Sequence, residues 1–154
     1  MIGRSQVYAF WFYHELIDLM VIKPGKILLV SPHWEVFWVS ANSSRLKCLR
    51  RNPICVACGK EGVLWILESQ IHNGVLQPAH LNLYAIVPQQ NGKDGLTLMT
   101  QDHIYPRSKG GRSSQDNLQT MCAPCNRRKD NKIEEIKILT RPSYFVYEGI
   151  TCSL

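Results

Sequence analysis

A chain of 154 residues has room for one domain with a small appendage and a modest core. Its formal net charge of +6 and pI near 9.1 suit a polyanion-binding protein, because Lys and Arg contacts to phosphate release condensed counterions. Six cysteines with no cleavable leader argue against a secreted disulfide scaffold. The apolar run from Val7 to Ile22, interrupted by His14, Glu15 and Asp18, is too short to span a bilayer. These features predict a protein of a reducing cytoplasm that does not enter a membrane.

In chain order, the aromatic-rich stretch Val7 to Val21 predicts a helix stopped by Pro24-Gly25, and Ile27 to Val30 and Trp34 to Val39 predict short strands. Ser40 or Asn42 is the expected cap of a short basic helix reaching Arg51, which feeds into Cys55-x-x-Cys58. Three strand-like segments follow: Val63 to Ser69, His80 to Val87 and Leu96 to His103. The middle one alternates cleanly, with Leu81, Leu83, Ala85 and Val87 on one face and His80, Asn82, Tyr84 and Ile86 on the other. The Asn and Gly residues of 91–95 predict the turn into the last strand, so a small β meander leads to His103. Pro124 suits the first turn of a helix over Ala123 to Asp130.

Two Cys-x-x-Cys knuckles, Cys55/Cys58 and Cys122/Cys125, predict a closed four-thiolate zinc site of structural type, with no open position for substrate. The 63 intervening residues exceed ordinary ribbon spacing, so the strands between must bring the knuckles together. Cys48 and Cys152 lack partners at that spacing and are expected to be ordinary thiols. His14, His33, His72 and His80 have no surrounding constellation.

His103 does have one. An acidic neighbour, Asp102, precedes it, a loop containing Pro106, Ser108 and Gly110-Gly111 follows, and then come Asn117 and Asn126. A neutral imidazole can take a proton from water at physiological pH, which makes His103 the expected general base. Asp102 and Asn126 offer hard oxygen donors suited to Mg²⁺ or Mn²⁺. The basic residues around the motif, Lys109, Arg127, Arg128 and Lys129 among them, are candidates for holding phosphates or the charge of the transition state.

Over residues 55 to 129 these motifs resemble the HNH endonucleases, in particular their zinc-containing branch, with Asn126 standing where the second histidine of the motif is found. The resemblance implies an α+β fold: a ββα-metal nuclease core with a two-knuckle, four-cysteine zinc site, preceded by a small β meander. It divides the chain into an N-terminal extension of unknown role (1–45), a nuclease domain (46–135) and a C-terminal tail (136–154). It also implies that Asn117 fixes the active-site loop and helps orient the His103 imidazole. The implied activity is metal-dependent hydrolysis of DNA, leaving 5′-phosphate and 3′-hydroxyl ends, by a bacterial or phage-encoded monomer or homodimer. The alternative is a zinc-stabilised nucleic-acid-binding module without catalytic activity; a thiol redox protein is a remoter one.

Overall fold

The computed structural model describes residues 5–16, 25–88 and 94–133. They form a mixed α/β structure made mostly of strands. The strands are β1 (Ser5–Phe12), β2 (Lys26–Val30), β3 (Val36–Ser40), β4 (Leu64–His72), β5 (Val75–Leu76), β6 (His80–Pro88), β7 (Asp94–His103) and β8 (Leu118–Cys122). Helix α1 covers Ser44–Arg51 and α2 covers Ala123–Lys129. One antiparallel sheet runs in the order β1-β4-β6-β7-β8 with β5 paired to β4, and β2 and β3 make a separate hairpin.

The helix predicted from Val7 is a correction. Residues 5–12 are instead an edge strand, paired from Ser5↔Gln70 to Phe12↔Leu64, and only residues 13–16 turn helical before the described segment ends. The aromatics that lack a single helical stripe are residues that favour a half-buried pleated surface, and the open edge of β4 gives them one. Tyr8 packs on Phe37 of the hairpin with ring centroids 4.5 Å apart, while Trp34, Val36 and Trp38 face outward. The cap of α1 is Ser43 rather than Ser40 or Asn42: its side chain accepts the Leu46 N–H at 3.2 Å. The turn predicted over 91–95 lies mostly outside the described residues, as does the tail beyond 133, with Cys152; β7 has already begun at Asp94.

The core is built by the alternation read in β6. Leu81, Leu83 and Ala85 are buried against Trp65 and Leu67 of β4, Met99 of β7 and Met121 of β8, while Val87 is only half-buried. Leu46 and Leu49 of α1 close the layer, and Leu16, Leu29, Val39 and Ala41 extend the same cluster into the first 45 residues. No described helix is long and apolar enough to cross a membrane.

The pairing of β7 changes along its length. Its first half pairs with β6 from Pro88↔Asp94 to Tyr84↔Leu98, and its second half pairs with β8 from Met99↔Cys122 to His103↔Leu118. Beyond Leu98, β6 and β7 part company. The parting leaves a cleft on one side of the sheet and delivers Asp102 and His103 to the far end of β7.

Candidate active site and metal centre

The four knuckle cysteines converge as the spacing predicts. Their sulfurs all lie within 4.8 Å of one another, and Cys58 Sγ is 3.7 Å from Cys122 Sγ. A tetrahedral site with Zn–S bonds of about 2.3 Å needs sulfurs roughly 3.8 Å apart, so the donor set fits zinc. Two local structures set it up. In the first knuckle Gly59, at φ 74, brings its N–H to Cys55 O at 2.9 Å, and Cys55 N–H returns to Lys60 O at 2.8 Å. In the second, Cys122 ends β8 and Cys125 sits in the first turn of α2, with Pro124 at its start. The two are tied together by Val56 N–H to Thr120 O at 3.0 Å.

The thiols differ in their readiness to ionise. Burial raises Cys58, but hydrogen bonds from the Lys60 backbone and from Cys55, Cys125 and Cys122 outweigh it and bring the pKa down to about 7. Burial pushes Cys122 up to about 12, and it raises Cys125 as well. A cation is what would make all four give up their protons together. Arg128 Nη2 lies 3.1 Å from Cys125 Sγ and Lys60 Nζ 3.8 Å from Cys58 Sγ, which offsets the negative charge of such a cluster. Cys48 stands apart, buried beside Thr120 with its pKa raised chiefly by that burial.

At the other end of β8 lies a cleft of about 400 Å³ lined by Asp102, His103, Pro106, Arg107, Ser108, Asp130 and Asn131. His103 is half-buried, and its Nε2 is 3.0 Å from the exposed Ser113 hydroxyl. Asp102 points to the other face of β7 and is 7% exposed. Its Oδ2 accepts from Gln119 Nε2 at 2.8 Å and pairs with Lys129 Nζ at 3.1 Å. Lys129, expected from the sequence to meet phosphate, is turned inward at 1% exposure and also donates to His103 O at 2.9 Å. The reason is the way α2 crosses β7. Asn126 sits over Thr100 and Lys129 over Asp102, three residues on along the helix and two along the strand.

Asn126 Nδ2 donates to Thr100 Oγ1 at 2.9 Å, which leaves its carbonyl oxygen without a donor among the described residues. Among those residues no hydrogen bond joins Asn126 to Asp102, and Asn126 is not part of the cleft wall. Asn117 holds the loop in three places: its Oδ1 accepts from Tyr105 N–H at 2.8 Å, and its Nδ2 donates to Tyr105 O at 3.0 Å and Arg112 O at 2.8 Å. It makes no bond to the imidazole, whose partner is Ser113. Gly111 is required where the loop closes. A Cβ there would lie 1.9 Å from Tyr105 O, and its N–H bonds Pro106 O at 3.0 Å. Arg51 of α1 braces the other flank through Gln115 O at 2.8 Å and Leu118 O at 2.6 Å. Lys109, Arg127 and Arg128 are exposed.

Residues 90–137 match the HNH endonuclease family. The similarity is local and covers 48 of the 154 residues. That segment includes His103, Asn117, Asn126 and the second cysteine pair, whereas Cys55 and Cys58 lie upstream and reach the site only through the fold. No curated protein and no solved structure matches the chain. Sequence reasoning missed Asp130 and Asn131 as walls of the His103 cleft. The only local signal is that they follow the last basic residue of α2, where the chain reverses at Asp130 with φ 50.

Proposed function

We propose that the protein is a metal-dependent DNA endonuclease in which His103 is the general base and one divalent ion serves the scissile phosphate. The observation that carries this reading is the placement of the imidazole: within the segment that matches the HNH family, lining a cleft, at the end of β7 where it enters a loop stapled by Asn117. β7, β8 and α2 follow one another as two antiparallel strands and a helix, the order that a ββα-metal core requires. The zinc cluster would then be structural, clamping the far end of the same three elements.

In this mechanism His103 takes a proton from water at Nε2, at the position that the Ser113 hydroxyl marks. Asn117 keeps the loop from Tyr105 to Arg112 closed, so that the imidazole presents one edge to the cleft. Asp102 and the free carbonyl oxygen of Asn126 are the groups that would hold Mg²⁺ or Mn²⁺, and such a cation would neutralise charge on the phosphate and the leaving 3′ oxygen. Lys129 balances Asp102 from within the protein. Arg107 lines the cleft and Lys109 and Arg127 are exposed, so all three are free to meet flanking phosphates.

Incubation of the purified protein with supercoiled plasmid in Mg²⁺ or Mn²⁺, beside a His103→Ala variant of equal zinc content, tests the reading. Nicked or linear product from the wild type alone is the expected result. Retained DNA affinity with no cleavage in any divalent ion would replace it with the zinc-stabilised binding module, which the internal pairing of Asp102 with Lys129 favours.

A further inference from the structure

The cleft left where β6 and β7 part is larger than the one beside His103, at about 620 Å³, and falls within the range of small-ligand sites. Its floor is the polar face of β4 and β6, on which Glu68, Gln70, His80, Asn82 and Tyr84 lie opposite the core residues. Arg45 of α1 reaches into the gap, donating to Asn82 Oδ1 at 2.9 Å and to the unpaired Leu81 carbonyl at 2.7 Å. Gln101 of β7 forms part of the opposite wall.

Two groups in this cleft are out of balance. Glu68 is 6% exposed and accepts from Asn82 Nδ2 at 2.9 Å and from the Tyr84 hydroxyl, yet no cation among the described residues pairs with it. A buried carboxylate satisfied only by neutral donors is costly and attracts further donors. Gln101 Oε1 is buried with no hydrogen-bond partner, a rare condition in a native structure. The site therefore presents acceptors in search of donors. Gln101 also shares a face of β7 with His103, two residues further on, or roughly 6.6–6.8 Å along the strand. That distance is about two base steps of a nucleic-acid strand at 3.4 Å each.

We infer that this cleft receives an unpaired, amino-bearing nucleobase of the strand held at His103, within about two nucleotides of the scissile phosphate. The exocyclic amino group of cytosine, adenine or guanine brings two N–H donors to the acceptors Gln101 Oε1 and Glu68; thymine has no amino group and offers only its single ring N3–H. The inference rests on the nuclease reading for its placement, but the preference for an amino group is a property of the cleft alone.

The test is binding of short single-stranded homopolymers to the zinc-loaded full chain without added Mg²⁺ or Mn²⁺, followed by sequencing of the ends produced from a random single-stranded pool once the ion is added. Cytidine and adenosine polymers are expected to bind about tenfold tighter than thymidine polymers, the lower range of discrimination for a paired base contact. Gln101→Met, close in size and checked for equal zinc content, should bring that ratio near one while leaving thymidine binding unchanged; Glu68→Gln of equal zinc content should do the same. Equal affinities, no binding of any polymer, or a preference that persists in Gln101→Met would overturn the inference. Base-selective binding without cleavage would remove the nuclease and keep the cleft. Cleavage with ends free of amino-base bias would do the reverse.

Discussion

The two ends of β8 hold opposite kinds of site. At Cys122 four sulfurs already stand at metal-binding separation, and three of the four cysteines are buried. At Leu118, which pairs with His103, an open cleft includes Asp102, whose charge is settled inside the protein by Lys129 and Gln119. The first arrangement is complete once a cation arrives and has no place for a substrate. The second leaves the half-buried imidazole of His103 lining an open cleft. Folding energy is thus concentrated at one end of a five-residue strand and reactivity at the other, and substitutions at the two ends should fail differently.

The largest effect should come from the sulfur end. Cys122→Ser removes a ligand from a site whose metal contributes an apparent ~10–16 kcal/mol in comparable peptides, as large as the whole stability of an ordinary domain. The expected outcome is loss of stoichiometric zinc together with cooperative unfolding, read by metal analysis and circular dichroism. His103→Ala should do the opposite: zinc content and melting temperature unchanged, and turnover down roughly 10²–10⁴-fold. If both variants lost zinc, the separation of the two ends would be wrong.

How far this contrast was legible in the sequence differs at the two ends. Knuckle spacing is local, and a Cys-x-x-Cys pair has few other uses at two positions in one chain, so the ligand set could be read directly. Lys129 could not. As one of several basic residues around the motif it looks like a phosphate contact, and only the crossing of α2 over β7 turns it onto Asp102. The edge strand Ser5–Phe12 was hidden for the same reason. Its partner β4 begins more than fifty residues later, and the aromatic run carries no local mark of that pairing. The alternation in β6 is legible from Leu81 to Ala85 because period-two burial is written in the strand itself, whereas the parting of β6 from β7 is a matter of register.

The Lys129–Asp102 pair sharpens the comparison next. Lys129→Met keeps the stem but leaves Asp102 nearly buried and unpaired, a loss of about 3–5 kcal/mol in stability for pairs of this kind. Adding Asp102→Asn should restore much of it, since neither member then demands a partner, and a denaturant double-mutant cycle measures the coupling. Stability unchanged in the single variant would mean that the pair does not form in solution, leaving Asp102 open to a cation.

The smallest effect concerns the loop, and it separates two roles for Asn117. The residue accepts one hydrogen bond and donates two, all to backbone of the segment from Tyr105 to Arg112. At about 0.5–1.5 kcal/mol net for each bond, and with water available to a half-buried group, Asn117→Ala should cost roughly 1–3 kcal/mol and act locally. Faster amide exchange at Tyr105 and Gly111 is the expected signature, with zinc content unchanged. Asn117→Asp is the more telling change, because it keeps the acceptor for Tyr105 N–H but replaces the donor with a second oxygen facing two carbonyls. A staple predicts that Asp is worse than Ala for both exchange and turnover. A residue acting on the imidazole alone would lower turnover with the loop exchange of both variants unchanged.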